Sequence, residues 1–111
     1  MTEFTDEHML QMLGKSKDYC AVILKHGKNW ESPDRDKIIW EHARRNFELR
    51  EKGVLAIVCP IRDESDLSGV GVFTGTVATV KAIMDDDPGV QAGIFEYEVH
   101  GCRSFPGDAL P

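Results

Sequence analysis

The order of apolar and polar segments limits this chain to few folds. Two apolar, strand-like runs flank a long segment with helical periodicity, and a second strand–helix–strand group follows after a polar connection. The order β-α-β-β-α-β predicts an α+β fold of the ferredoxin-like type, in which two helices cover one face of a four-stranded antiparallel sheet. The predicted strands are residues 19–26, 54–61, 69–75 and 92–100, and the predicted core helices are residues 33–52 and 77–84.

Capping residues indicate where the helices begin and end. Ser32 is a suitable N-cap for the long helix, with Pro33 at the first helical position, and Gly53 can end it. Thr76 is the expected cap of the second core helix. A further short helix is predicted over residues 5–14, before the first strand.

An Asp-Pro-Gly sequence precedes the last predicted strand. Asp87, Pro88 and Gly89 fit a type II turn, with Pro and Gly at its two central positions. Asp87 is the last of three consecutive acids, which start at Asp85. These acids follow the C-terminus of the second predicted core helix, where negative charge is unfavourable. Such a run is commonly a solvated turn, but local rules are also broken at functional sites. Because Pro88 restricts the residue before it to extended backbone, the carboxylate of Asp87 can be aimed reproducibly.

The second predicted strand is apolar on both of its faces. In residues 54–61, VLAIVCPI, apolar side chains occupy odd and even positions alike, which indicates cover on both sides of the sheet. The two core helices can cover only one side. We therefore expect the other side to pack against the sheet of a second copy, which gives a homodimer with an enclosed space between the sheets.

Charge and cysteine content exclude several classes of protein. The 111 residues suit a single domain, and the net charge of −6 argues against binding to nucleic acid or to an anionic membrane surface. No apolar stretch approaches the roughly 20 residues of a membrane-spanning helix, and the acidic N-terminus lacks a signal segment.

Cys20, Cys59 and Cys102 have no CxxC spacing, and the first two are expected to be buried packing residues. We expect a cytoplasmic protein without nucleic-acid or membrane partners.

Two polar residues interrupt the apolar side of the long helix. On a helical wheel, His42 and Asn46 fall on the apolar arc, one turn apart. One interpretation is a core histidine whose ring is satisfied by hydrogen bonds. The other is a histidine that faces a pocket and gives or takes a proton near neutral pH. The rest of the apolar arc consists of Ile38, Ile39, Ala43, Phe47 and Leu49.

Neither the glycine-rich strand nor the remaining histidines predict a cofactor or metal site. The sequence GVGVFTG lacks the Lys-Ser/Thr ending of a phosphate-binding loop, and its glycines indicate a bulge or a close backbone approach. His8, His26, His42 and His100 include no i, i+4 pair and no HExxH motif.

Four segments of the chain resemble the YCII-related (YciI-like) family. They are YCAVILKHG, EHARRNFELREKGVLAIVCP, GVGVFTG and DDDPGVQAGIFEYEV, which together span about residues 19–100. The resemblance implies a dimeric α/β barrel with a His-Asp dyad in a pocket, formed by His42 and Asp87. It also implies that Asp85 belongs to the site, because Asp85 matches an acid found in some members. Relatives in the same barrel superfamily act on lactones and chlorinated hydroquinones, by isomerisation or dehydrochlorination.

We expect residues 1–111 to form one domain. The sequence departs from the family pattern at two places. Members often have Gly before the Pro that ends the second strand, whereas this chain has Cys59-Pro60, so we expect a reshaped or narrower pocket. Residues 1–16 and 101–111 are extensions, which we expect to cap the dimer or to cover the pocket mouth.

The expected function is proton transfer on a small cyclic or aromatic molecule, as in a lyase, an isomerase or a dehydrochlorinase. His42 is the expected general base or acid, and Asp87 is expected to orient its ring and to stabilise the imidazolium form. Asn46, Asp85 and Cys59 are the expected substrate-binding residues, and no metal or organic cofactor is expected. The alternative is a dimeric module that binds a small ligand or serves another protein, without catalysis.

Overall fold

A computed structural model describes residues 3–111, so residues 1 and 2 of the predicted N-terminal extension lie outside the described part. None of the helices in that part combines the length and apolar character needed to cross a membrane. The helices are α1 (Asp6–Leu13), α2 (Arg35–Glu51), α3 (Val77–Asp85) and α4 (Pro88–Gln91), and the strands are β1 (Lys17–His26), β2 (Leu55–Pro60), β3 (Leu67–Phe73) and β4 (Phe95–Ser104).

The four strands form one antiparallel sheet in the order β2-β3-β1-β4. β2 and β3 pair directly because a short connection joins antiparallel neighbours. The crossover through α2 carries the chain past one strand position, and β3 fills that position between β1 and β2. The element order and the strand order are those of a ferredoxin-like α+β fold, which confirms the predicted class.

The core lies between the helices and one face of the sheet. In β1, Cys20, Val22 and Leu24 are buried, and the residues between them are half-buried. This period of two places the buried set on the helix side. Val80 and Met84 of α3 are buried against the same cluster, one helical turn apart.

The predicted start of α2 is wrong by two residues, and its predicted end at a glycine is confirmed. The hydroxyl of Ser32 accepts a hydrogen bond from the backbone nitrogen of Asp34 at 3.3 Å, so Ser32 forms a local turn and the helix begins after Asp34. At the other end, Gly53 has a φ of 76°, and the nitrogen of Val54 donates to the carbonyl of Leu49 at 3.0 Å. This is the Schellman geometry, whose left-handed residue favours glycine.

The predicted type II turn at Asp87 is wrong, because these residues start the short helix α4. Asp87 has extended backbone (φ −70°, ψ 132°), as the proline after it requires, and its side chain caps the helix. Pro88 takes the first helical position, where a backbone N–H would have no partner within the helix.

Two strands are displaced from their predicted positions. β4 starts three residues late because α4 and the turn after it occupy residues 88–94, and it continues to Ser104 because it pairs with β1 throughout. Part of the predicted tail, residues 101–111, is therefore strand. β3 ends at Phe73 because Gly75, with a φ of 104°, turns the chain into α3, whose N-cap is Thr76 as predicted.

Several residues predicted to be covered are exposed in the single chain. Cys20 is buried as predicted, but Cys59 is exposed. β2 is an edge strand in which Leu55 is buried and Ala56 and Pro60 are exposed, so cover on both faces is absent within the chain. Phe47 is 57% exposed, because it stands at the opening of a cavity beneath α2.

α1 forms the predicted N-terminal helix but packs on little of the fold. The hydroxyl of Thr5 accepts a hydrogen bond from the backbone nitrogen of His8 at 3.1 Å and caps the helix. No residue from Asp6 to Leu13 is buried, and Leu10 is 72% exposed. The expected role of residues 1–16 in capping a dimer or covering a pocket stays a prediction.

Candidate functional site

A histidine from the interior of α2 and an aspartate at the start of α4 form the centre of the site. Nδ1 of His42 lies 2.7 Å from Oδ1 of Asp87. His42 is the buried residue of α2, with 8% exposure, and Asp87 is fully buried. The structure thus brings together the two predicted catalytic residues, from elements that are far apart in the sequence.

Asp87 is surrounded by hydrogen-bond donors. Its Oδ2 accepts from the backbone nitrogens of Gly89 at 2.9 Å and Val90 at 3.2 Å, which are the first free N–H groups of α4. The guanidinium of Arg45, whose side chain is 25% exposed, has a terminal nitrogen 3.7 Å from Oδ1. Because two backbone N–H groups donate to it and a guanidinium cation lies nearby, Asp87 is placed to act as an acceptor, as a carboxylate does.

When the ring of His42 is neutral, this arrangement favours one of its two tautomers. Since Oδ1 of Asp87 accepts, Nδ1 of His42 carries the proton and donates it, which leaves Nε2 with a lone pair. The side-chain nitrogen of Asn46 lies 3.1 Å from Nε2 and donates to it. Asn46 can do so because residues four apart lie on one helix face.

The ring of Phe95 forms one wall beside the histidine. Its centroid lies 4.7 Å from that of His42, at a tilt of 56°. Gly89 permits this approach, because a Cβ on Gly89 would lie 2.4 Å from Cδ2 of Phe95. The same short helix therefore supplies a backbone donor to Asp87 and leaves space for the aromatic ring.

The site opens on a cavity of about 390 Å³ between α2 and the helix-covered face of the sheet. Two glycines of β3, Gly69 and Gly71, form part of its floor, where other residues would project side chains. Val22 and Leu24 of β1 complete the apolar surface below His42. This cavity lies within one chain, over two strand positions that lack side chains. The enclosed space expected between the sheets of two chains stays a prediction.

A second aromatic group lines the cavity and was not predicted from the sequence. The rings of His26 and Trp30 stack with centroids 3.6 Å apart and an interplanar angle of 6°. Cζ of Arg35 lies 4.8 Å from the Trp30 ring centroid. This stack fixes the side chain of Trp30 in the cavity wall.

Asp85 is not among the residues that line the cavity, and its contact with a substrate stays a prediction. It is the last residue of α3, and its Oδ1 accepts a hydrogen bond from the hydroxyl of Tyr97 at 2.6 Å. This hydrogen bond, together with burial and the charge of Asp85, raises the pKa of Tyr97 to about 12. The helix end directs Asp85 toward β4 and Asp87 toward α2.

The other two predicted substrate-binding residues line the cavity. Asn46 reaches it from α2, and Cys59 reaches it from the exposed edge strand β2. Their contact with a substrate stays a prediction. Among residues 3–111, no three His, Cys, Asp or Glu side chains are grouped so that they could hold a metal ion.

Comparisons with known proteins add little to this geometry. No family model matches the chain, and no curated protein matches it. A solved structure described as that of methylated RPA0582 protein is similar over 94% of this chain and 95% of its own, with 11% sequence identity and a TM-score of 0.42. Similarity at this level bears on neither family nor function.

Proposed function

We propose that this protein catalyses proton transfer on a small organic molecule bound beneath α2, with His42 as general base and acid. The observation that carries the proposal is the orientation of His42. Nδ1 is held by the fully buried Asp87, and the ring lines a mostly apolar cavity. A cavity of about 390 Å³ is at the small end of the usual range for ligand sites, ~300–1,000 Å³.

In the proposed reaction, Nε2 of His42 removes a proton from a carbon or oxygen of the substrate. Asp87 stabilises the resulting imidazolium and keeps Nδ1 protonated, so that the ring keeps the same orientation throughout the catalytic cycle. In an isomerisation, the proton on Nε2 is then returned to another atom of the substrate. In an elimination, the electron pair of the broken bond expels the leaving group, and Nε2 passes its proton to that group or to water. Positioned proton transfer of this kind typically contributes ~10²–10⁴-fold in rate. This step requires no metal or organic cofactor.

Asn46 must respond to the two states of the ring. When His42 is neutral, the amide nitrogen of Asn46 donates to Nε2. When Nε2 carries a proton, rotation of the amide by half a turn brings its oxygen to accept that proton's hydrogen bond. Substrate binding to Nε2 displaces the amide, which can then bind a polar atom of the substrate.

Membership of the YCII-related family is part of the same proposal. It rests on the four sequence segments that resemble the family, and the contact between His42 and Asp87 supports it. On this proposal the substrates are compact cyclic compounds, such as lactones or substituted hydroquinones. The cysteines at positions 20, 59 and 102 are free, which supports a reducing compartment such as the cytoplasm.

A homodimer that pairs the helix-free faces of two sheets also belongs to the proposal. Ile23 pairs with Val70, and Ala21 pairs with Val72, so these apolar side chains share the face opposite the buried residues of β1. Val70 is 36% exposed in the single chain. We expect a dimer by light scattering, which Val72→Glu dissociates and Trp40→Glu, at a 68% exposed position of α2, leaves intact. A wild-type protein that is monomeric in this measurement would contradict the proposed homodimer.

A nitrobenzisoxazole tests the catalytic proposal without knowledge of the natural substrate. This compact bicyclic compound opens to a coloured phenolate when a base removes its ring proton. We expect opening faster than with free imidazole, and a loss of roughly 10²–10⁴-fold in His42→Gln. Asp87→Asn should also slow the reaction, because an amide that donates to Nδ1 leaves Nε2 protonated.

The matched control for this assay is His100→Gln. His100 lies on β4, and its side chain is 58% exposed, so its loss should leave the rate unchanged. An equal rate in wild type and His42→Gln would exclude His42 as the base.

A second candidate function is a binding module without catalysis, and one observation favours it. Both ring nitrogens of His42 have protein partners, Asp87 and Asn46, as in a histidine that only completes a core. On this reading His42→Gln lowers the melting temperature but small compounds are bound and released unchanged. Binding of nitrobenzisoxazole without faster opening supports this candidate.

A further inference from the structure

The cavity contains a second imidazole, that of His26, to which the proposed reaction gives no role. Its ring lines the same cavity as the ring of His42. Both ring nitrogens of His42 have polar partners, whereas among residues 3–111 no hydrogen bond or ion pair involves the ring of His26. His26 is half-buried, so part of its surface is open to a molecule in the cavity. Ligand sites characteristically place a few such polar groups among apolar walls.

Strand pairing places His26 beside the aromatic wall that His42 contacts. Val22, Leu24 and His26 alternate along β1, so all three project from the helix-covered face of the sheet. In the pairing of β1 with β4, His26 lies directly opposite Phe95, and such neighbours on one face have Cβ atoms ~5 Å apart. The Phe95 ring also contacts that of His42, with centroids 4.7 Å apart. The two imidazoles therefore border the same phenylalanine and face the same cavity.

Aromatic stacking and backbone hydrogen bonds hold the ring of His26 in place. It stacks on Trp30 with centroids 3.6 Å apart and an interplanar angle of 6°. Because the N–H bond of an imidazole lies in the plane of the ring, it does not point at the stacked tryptophan. The backbone nitrogen of His26 donates to the carbonyl of Asp66 at 2.8 Å, and that of Trp30 donates to the carbonyl of Gly27 at 3.1 Å, which fixes the turn after β1. The ring is thus positioned by stacking, and its polar edge is left for another partner.

We propose that His26 binds an oxygen of the substrate through its ring N–H and thereby serves as a second catalytic residue. When Nε2 of His42 removes a proton from carbon, the electrons of the C–H bond form a new π bond, and an electron pair moves onto that oxygen. A donor already positioned at the oxygen stabilises the developing negative charge. A neutral imidazole retains one N–H, so His26 can donate without being protonated. The inference rests on the proposed function, because it concerns the same reaction in the same cavity.

This role of His26 narrows the class of substrate. The oxygen must belong to a carbonyl group next to the C–H bond, or it must be the atom that an elimination expels. A compact ring ketone, a lactone or a benzisoxazole meets this condition, whereas a ring that carries only hydrocarbon or halogen substituents does not. His42 and His26 then contact different atoms of one molecule, carbon and oxygen. The structural alternative is a His26 that only packs on Trp30.

The contact with oxygen is tested without catalysis by para-nitrophenolate and nitrobenzene, which share a shape and differ in one anionic oxygen. Dissociation constants are measured by NMR titration of the wild type and of His26→Phe, which keeps a flat ring to stack on Trp30. We expect His26→Phe to weaken para-nitrophenolate roughly 10-fold or more, the effect of one hydrogen bond to a charged group, and to leave nitrobenzene within about twofold.

The matched control is His8→Phe. His8 also stacks on an aromatic ring, that of Phe4, with centroids 4.0 Å apart, and neither residue lines the cavity. His8→Phe should change neither affinity. If His26 only packs on Trp30, its substitution should change the affinities for both probes alike or change neither.

The opening of two benzisoxazoles tests the catalytic part of the inference. The unsubstituted compound expels a less acidic phenol than the nitro compound does, so its leaving oxygen gains more from a hydrogen bond. We expect His26→Phe to slow the unsubstituted compound about 3- to 10-fold more than the nitro compound. His42→Gln, which removes the base, should slow both compounds by similar factors.

The outcomes distinguish this inference from the proposed function. Opening that depends on His42 but is equally fast in wild type and His26→Phe, with unchanged affinity for para-nitrophenolate, overturns the inference and leaves the proposed function intact. Equal weakening of both probes in His26→Phe, or no binding of para-nitrophenolate to the wild type, also overturns it. A His26-dependent affinity for para-nitrophenolate in a protein that opens neither benzisoxazole supports the oxygen contact and contradicts the proposed catalysis.

Discussion

Asp85 and Asp87 are two residues apart in one acidic run, yet they occupy opposite environments. Asp87 is fully buried and contacts His42, two backbone nitrogens and Arg45. Asp85 is exposed and accepts a hydrogen bond from Tyr97. Helix ends account for the difference, because Asp87 caps the start of α4 and Asp85 ends α3. An N-terminus supplies free N–H donors to a buried carboxylate, and a C-terminus supplies none.

Pro88 accounts for the different environments of the two acids. Pro88 ends the run, holds Asp87 in extended backbone, and opens a new helix whose donors face back toward the carboxylate. Without that second helix, a buried Asp87 would have only His42 and Arg45 as partners. The two acids are thus a buried carboxylate that contacts His42 and an exposed carboxylate that accepts a hydrogen bond from Tyr97.

The largest expected effect is on stability when each acid is removed in turn. Asp87→Ala should lower the free energy of unfolding by ~3–5 kcal/mol, because it leaves a buried histidine and the α4 nitrogens without a partner. Asp85→Ala should cost no more than about 1 kcal/mol, as for other exposed positions. Urea denaturation gives both values. If Asp87→Ala does not fold, Asp87→Asn supplies a smaller step in the same direction. Equal losses for the two acids would contradict the comparison.

A smaller effect is expected on the pKa of Tyr97, whose hydroxyl donates a hydrogen bond to Asp85. Its pKa is about 12 against an ordinary value of 10.0, chiefly because of the hydrogen bond to Asp85. The folded state favours the neutral hydroxyl, so this contribution to stability is complete below pH 10 and is lost as the pH rises toward 12. Asp85→Asn should lower the pKa toward 10.0.

Absorbance of the tyrosinate measures this change. Tyr19→Phe provides the background, because Tyr19 and Tyr97 are the two tyrosines of the chain. Asp86→Asn is the control, since Asp86 is exposed and has no hydrogen bond to Tyr97 among the described residues. A pKa that Asp85→Asn leaves unchanged would show that the hydrogen bond is absent in solution.

The fold could be predicted because local patterns specify it, whereas the pairing of His42 with Asp87 was implied by the resemblance to the YCII-related family. Strand and helix periodicities give the element order, and a polar residue on an apolar helix face identifies His42. Pro88 identified Asp87 as the constrained acid, but the sequence did not show that Asp85 and Asp87 are directed toward different elements. That separation depends on α4, a helix of four residues with too little periodicity to be recognised.

The remaining cavity residues depend on tertiary contacts that the sequence does not display. His26 and Trp30 stack across a turn after β1, and Ser68 lies at a register shift between strands. One usable signal was present. Gly69 and Gly71 alternate in β3, so both lie on one face, and missing side chains on one face leave space above it. The cavity lies over these glycines.

The most direct test of the account is the position of the proton on the ring of His42. Nitrogen NMR of the neutral ring, assigned with His42→Gln, distinguishes a protonated Nδ1 from a protonated Nε2. The account predicts a protonated Nδ1 and a free Nε2 in the wild type, with the reverse tautomer in Asp87→Asn. A wild-type ring that carries its proton on Nε2, or that averages between the two forms as in a solvated histidine, would contradict it.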